Sequence, residues 1–297
     1  MKLRIGTRRS RLALAQADEV AGALRRTGVE TEIVPMITSG DRGADPSSDQ
    51  AGLKGLFVAE IVRALLEGEV DLAVHSAKDL PAEDDPGLTI AAVPERASAL
   101  DVLVTRDGEL AAGSRVGTSS VRRQAQVFRW RPDVLVKDLR GNVDTRLRKL
   151  ADGEVEALVL AAAGLLRLGV VPEHAAPMSL AEMVPAPGQG CLAVQARSGD
   201  GATRDAVAAL DHGPSRDALV AERLLMRALG GGCALPLGAF AERTGSGMHM
   251  IAIVLSPDGG RFARAEVDAP TPEEVAELAR LDLAAGGADD ILLAVRP

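Results

Sequence analysis

Residues 114–148 read SRVGTSSVRRQAQVFRWRPDVLVKDLRGNVDTRLR. Within them, GTSSVRRQAQ (117–126) follows a short apolar run, turns tightly at Gly-Thr and continues with helical spacing. That is a strand–turn–helix unit, the building block of an α/β fold. A helix start leaves backbone N–H groups unpaired and carries a partial positive charge, so it suits an anion. Ser119 and Ser120 stand where they can cap or donate, while Arg122 and Arg123 add permanent forked charges matched to carboxylate or phosphate. A second turn, RGNVDTR (140–146), repeats the design after the apolar run VLVKDL, with Arg140, Asn142 and Arg146. The window holds nine Lys/Arg against three acids in a chain of net charge −8. A basic island in an acidic protein points to an anionic ligand held locally, not to a surface that coats nucleic acid.

The unit has an echo at the start of the chain. GTRRSRLALAQ (6–16) again pairs a Gly-Thr turn with hydroxyl, arginine and an Ala/Gln helix, and EGEVDLAV (67–74) matches DGEVEALV (152–159) at a helix-to-strand junction. KLRIG (2–6), TEIVPMI (31–37) and DLAVHS (71–76) read as strands, and 10–28 and 55–68 as helices. The alternation predicts α/β architecture with largely parallel sheets, in two related lobes that face a shared cleft at their strand ends. TSGDRGADPSSDQAG (38–52) reads as a mobile loop. PERASALD (94–101) and MVPAPGQG (183–190) read as two crossings between the lobes, which together make a hinge. From about residue 213 the pattern changes to helix, three strands and helix, a small α+β domain. The expected division is lobe 1 over 1–95 and 189–212, lobe 2 over 96–188, and the third domain over 213–297.

Composition narrows the function classes. Among 297 residues aromatics make up 2%, with no Tyr and one Trp, so platforms for stacking nucleic-acid bases are not expected. The start MKLRIGTRRS lacks an apolar signal core and no run is long enough to span a bilayer, so a cytoplasmic protein without membrane contact is expected. Two cysteines, at 191 and 233, do not make a disulfide framework, and the four scattered histidines give no metal-ligand spacing.

Two short stretches carry candidate chemistry. HSAKDLP (75–81) directly follows a buried strand and places His75, Ser76, Lys78 and Asp79 at its end. Asp79 beside Lys78 reads either as a surface ion pair or, in a cleft, as a carboxylate that steadies a developing cation and relays a proton. LGGGCALP (229–236) ends a glycine tether at the thiol of Cys233, which suits an attachment point or nucleophile. Cys191, ahead of an apolar run, reads as core.

Together these motifs resemble the porphobilinogen deaminases, also called hydroxymethylbilane synthases. The resemblance rests on GTRRSRLALAQ, KGLF (54–57), AVHSAKDLP (73–81), GTSSVRRQAQ, RGNVDTRLRKL (140–150), LAAAGLLRLG (160–169), PAPGQG (185–190) and GGGCALP, in the family's order along almost the whole chain. It implies two lobes like those of type-2 periplasmic binding proteins, a double-crossing hinge and a small third domain. It further implies a dipyrromethane cofactor joined by thioether to Cys233, onto which four porphobilinogens are added head to tail with loss of ammonia. Water then releases hydroxymethylbilane, a precursor in haem biosynthesis.

On this resemblance Asp79 is the catalytic residue. The cofactor is expected on Cys233, Lys78, Ser76, His75, Ser120, Arg122, Arg123, Arg146 and Gln189. Substrate is expected on Arg8, Ser10, Arg140, Arg146, Arg167 and Asn142. Each pyrrole carries an acetate and a propionate, so forked arginines and helix starts meet the demand of a growing chain. No metal is called for, and a monomer that passes its product to uroporphyrinogen-III synthase is expected. The chain departs from the family pattern at Leu53, at Ala59 where a lysine is common, and at Arg11 where proline is frequent. It also departs at Gln195 for a frequent glutamate and at the hinge stretch RASALD (96–101). The competing class is a diverged, non-catalytic two-lobed anion binder, which leaves Asp79 and the tethered Cys233 without a task.

Overall fold

The computed structural model describes residues 1–37, 52–231, 235–245 and 247–295, of which 52–57 and 295 are described in backbone only. Lobe 1 begins with strand β1 (Lys2–Arg8) and helix α1 (Arg11–Arg26). Ser10 caps α1, its hydroxyl accepting the Ala13 N–H at 3.2 Å. Strand β2 (Glu30–Met36), helix α2 (Gly52–Leu66), strand β3 (Leu72–Ser76), a single 3-10 turn at Ala77–Asp79 and strand β4 (Leu88–Ala92) follow. Lobe 2 contains β5 (Asp101–Thr105), β6 (Arg115–Gly117), α3 (Val121–Trp130), β7 (Leu135–Lys137) and α4 (Val143–Ala151). It is completed by β8 (Ala157–Ala161), α5 (Ala162–Arg167) and β9 (Ala175–Pro177). The chain then returns to lobe 1 through β10 (Leu192–Arg197) and α6 (Gly201–Val207).

The two five-stranded sheets have orders β2-β1-β3-β10-β4 and β7-β6-β8-β5-β9. The expectation of largely parallel sheets is corrected, because both are mixed. β1 runs parallel to β2 and β3, and β6 parallel to β7 and β8, but β10 and β5 are antiparallel to both of their neighbours. The reason lies in the crossings. Leu192 pairs with Ser76, the last residue of β3, and Asp101 pairs with Ala161, the last residue of β8. Each crossing delivers the chain to the cleft end of the next sheet, so the strand that starts there can only run backwards.

The echo seen in sequence is a true structural repeat. In lobe 1, Arg4 binds both carboxylate oxygens of Asp71 and donates to Gly68 O at 2.8 Å. In lobe 2, Arg115 binds both oxygens of Glu156 and donates to Gly153 O at 3.0 Å. Gly68 and Gly153 have φ of 74° and 76°, so both helix-to-strand turns need the left-handed backbone that glycine adopts freely. Each lobe buries its own apolar cluster, around Leu3, Ile5, Leu72 and Val194 in the first and Val104, Leu150, Leu158 and Leu160 in the second.

The third unit has α7 (Gly213–Ala228), the antiparallel sheet β11 (Leu237–Thr244), β12 (Gly247–Leu255) and β13 (Phe262–Ala269), α8 (Pro272–Ala285) and α9 (Ala288–Val295). Leu225, Ala239, Met250, Val254, Val275 and Leu283 form its core. This is the α+β pattern expected, with α9 added to the helix and strand run read from sequence. Glu222 on α7 is fully buried where the three units meet. It pairs with Arg96 of the first crossing at 2.7 Å and accepts the N–H groups of Gly188 in the second crossing and of Ala241 in β11. The loop expected at 38–52 lies almost wholly outside the described residues, as does Cys233.

Candidate active site

The strand ends of the two lobes enclose a cleft of about 220 Å³. Lobe 1 contributes Arg8, Ser10 and Gln16 from β1 and α1, and Ser76, Lys78 and Asp79 from the end of β3 and its 3-10 turn. Lobe 2 contributes Arg123 from α3, Asn142 and Arg146 from the start of α4, and Arg167 from the end of α5. A side chamber of about 60 Å³ adds His75 beside Arg8, Ser76 and Asp79. A cavity of about 320 Å³ at the seam between lobe 2 and the third domain is larger, but it is lined by Arg129, Trp130 and Arg264 and by none of the expected residues.

Of the described side chains that line the cleft, five are cations (Arg8, Lys78, Arg123, Arg146, Arg167) and one, Asp79, is an acid. Lys78 is half-buried, and loss of solvent together with repulsion from Arg123 pulls its ammonium down to about 8 against the attraction of Asp79 and Asp101. Burial, with Arg123 again nearby, lowers Arg146 to about 10. Burial brings His75 down to about 4, so its imidazole is neutral near pH 7, and it pushes the Cys191 thiol up to about 12. Cys191 is therefore the inert core cysteine that its sequence neighbourhood implied, although its edge reaches the cleft wall. Gln16 donates to Ser76 Oγ at 2.7 Å and fixes that hydroxyl in the cleft.

Four expected ligand residues lie elsewhere. Arg122 is buried, paired with Asp101 at 2.8 Å and donating to Val184 O, so it braces the hinge instead of facing the cleft. Gln189 is wholly buried and donates to Ala99 O and Asp101 Oδ1, so it too is a hinge residue, touching the cleft only through Lys78 Nζ at 3.5 Å. Ser120 serves as the α3 cap, accepting the Arg123 N–H. Arg140 is exposed and turned to Asp138 at 3.3 Å. Arg123 does both tasks, binding Asp101 at 2.7 Å while lining the cleft.

Asp101 is the residue that sequence reading missed. Burial alone would raise its carboxyl, but the guanidinium charges of Arg122 and Arg123 override that and hold it well below the usual carboxylate range. Its signal was present in the sequence as an acid opening the apolar strand DVLVT, where only a buried cation makes sense of it.

Chemically, the cleft is built for a ligand that carries several carboxylates and, near Asp79, a donor or a positive charge. Comparison with known proteins agrees. Residues 3–205 match the family model "Porphobilinogen deaminase, dipyromethane cofactor binding domain", and residues 217–285 match "Porphobilinogen deaminase, C-terminal domain". The chain belongs to the porphobilinogen deaminase family. It is 46% identical to the porphobilinogen deaminase of Acidothermus cellulolyticus over 98% of this chain and 91% of that protein. It is also 46% identical to the one from Thermus thermophilus, over 94% and 93% respectively.

The donor set fits the group for which the family model is named. Two pyrroles carrying acetate and propionate need several cations and hydroxyls together, which Arg8, Ser10, Ser76, Lys78, Arg123, Arg146 and Arg167 supply. No helix among the described residues is long and apolar enough to cross a membrane.

Proposed function

We propose that this chain is a transferase that joins four porphobilinogens head to tail on a dipyrromethane primer attached through Cys233, and releases hydroxymethylbilane for haem biosynthesis. The observation that carries the reading is the Asp79 carboxylate just after β3, set among five cationic side chains of the described cleft lining. The primer, when bound, supplies the free pyrrole carbon to which each new ring is joined. Everything else falls to the chain's own residues.

Arg8, Arg146, Arg167 and Lys78 hold the acetate and propionate groups and so fix each ring in place. Porphobilinogen loses its aminomethyl nitrogen as ammonia, which leaves a cation spread over the ring and its nitrogen. The Asp79 carboxylate accepts the pyrrole N–H and offsets that charge. After the new carbon–carbon bond forms, the attacking ring must lose the proton from its bonding carbon, and Asp79 Oδ relays it. The neutral His75 adds no competing charge beside it.

The division into lobes at 1–95 with 189–212 and at 96–188, and a third domain at 213–297 bearing Cys233, belongs to this reading. So do a monomer in the cytoplasm and transfer of the product to uroporphyrinogen-III synthase. Intact-mass measurement tests the reading: protein from a host that makes porphobilinogen carries the extra mass of two joined pyrroles, and Cys233→Ser lacks it. An unmodified wild-type chain overturns it.

A further inference from the structure

Arg167 does not wait in the cleft with an empty hand. Its side chain is 6% exposed, it donates to Gly190 O at 3.2 Å in the second crossing, and its Nε is bound at 2.8 Å by Glu19 of α1. Glu19 belongs to lobe 1 and Arg167, which lines the cleft, to lobe 2, so this ion pair joins the two lobes. A second pair does the same two helical turns earlier, where Arg11 of α1 meets Asp144 of α4 at 2.8 Å. Between them, Leu12 lies against the α5 backbone at Gly164.

The two partners of the Glu19 pair differ in what separation costs them. Glu19 is 45% exposed and can swing into water. Arg167 is enclosed and needs an anion whenever Glu19 leaves it. A substrate carboxylate is the same chemical group, so the exchange replaces one charge-assisted hydrogen bond with another of equal kind. We propose that Glu19 is a resident carboxylate that occupies Arg167 until an acetate or propionate of the incoming pyrrole displaces it, so that α1 competes with substrate for this cleft arginine. This inference rests on the deaminase reading for the identity of the ligand.

A competing internal ligand multiplies the apparent dissociation constant by a factor of one plus its own pairing constant. For a half-exposed ion pair that factor is about two- to sixfold. The test uses holoenzyme and two readouts. One is the Kd of an unreactive pyrrole that bears acetate and propionate but no aminomethyl group. The other is KM and kcat for porphobilinogen.

In Glu19→Gln, Kd and KM are expected to fall by about two- to sixfold with kcat unchanged, because only the competitor has weakened. Arg11→Gln loosens the same lobe contact without freeing Arg167, so its Kd should stay at the wild-type value. An unchanged or raised Kd in Glu19→Gln overturns the proposal, since the pair would then be a scaffold. An equal fall in Arg11→Gln also overturns it, since lobe opening would explain both. A wild-type holoenzyme that binds the pyrrole but makes no hydroxymethylbilane would instead count against the deaminase reading alone.

Discussion

The Glu222 carboxylate of α7 meets the Arg96 guanidinium of the first crossing at 2.7 Å with none of its side chain exposed. The same carboxylate accepts N–H groups from Gly188 and Ala241, so one side chain ties both crossings and the third domain together. Removing it leaves a buried guanidinium and two buried amides without their acceptor. Glu222→Ala is expected to cost about 3–5 kcal/mol of stability in urea unfolding. Glu222→Gln, which keeps an oxygen for some of these donors, should cost less. A cost below about 1 kcal/mol for the alanine variant would mean the junction is held by packing alone.

The crossings also touch directly. Gly190 has φ of 89°, and a Cβ there would lie 2.5 Å from Ala97 O and 3.0 Å from Ser98 O. Both the backbone angle and the contact exclude a side chain. Gly190→Ala is therefore expected to destabilise by about 1–3 kcal/mol, with slower turnover from a displaced hinge. Gly199→Ala, where nothing lies within 4 Å, serves as the neutral comparison. Equal unfolding midpoints for the two variants would count against close crossing contact.

The repeat was legible because it is written locally. GEVD and GEVE each place glycine, then an acid, at fixed distances from a strand, and the Arg4–Asp71 and Arg115–Glu156 pairs follow. The place of Asp79 in the cleft was legible as the turn after an apolar strand, whereas its role was open in the local sequence and came from the family resemblance alone. Direction was not legible. Arg122 and Arg123 are neighbours in sequence but point about 100° apart on a helix, and which faces the cleft depends on Asp101, about twenty residues away. Mixed strand polarity was hidden too, because it is set by where the crossings deliver the chain and not by any property of DVLVT or LAVQAR themselves.

Asp79 lines both the cleft and its side chamber but lies outside the buried core. Its loss should therefore spare the fold and strike the chemistry. Asp79→Ala is expected to lower kcat by a factor on the order of 10²–10³ while the unfolding midpoint stays near wild type. Asp79→Asn, which can still accept a hydrogen bond but cannot offset a charge, should lose nearly as much. Near-normal turnover in the asparagine variant would remove charge stabilisation from the proposed role.

Lys78 gives the cleft a pH limit whose sign follows from its surroundings. Burial and Arg123 bring its ammonium down to about 8, so above that pH the cleft loses one of its cations. A bound carboxylate favours the protonated form, so binding there takes up a proton and affinity falls as pH rises. The Kd of the unreactive pyrrole should be flat below about pH 7.5 and weaken above pH 8 by at most about tenfold per pH unit. Arg146, lowered to about 10, enters only at the far end of that range. Lys78→Gln should bind more weakly throughout but without the slope, and Lys78→Arg should keep its affinity into the alkaline range. Stability moves the other way in the free enzyme. Between about pH 8 and ~10.4 the unfolded chain holds the Lys78 proton more firmly than the folded one, so stability rises with pH through that window and the rise is absent in Lys78→Gln. If the alkaline weakening of Kd persists unchanged in Lys78→Gln, the titrating group is another one and Lys78 is not a ligand of the carboxylates.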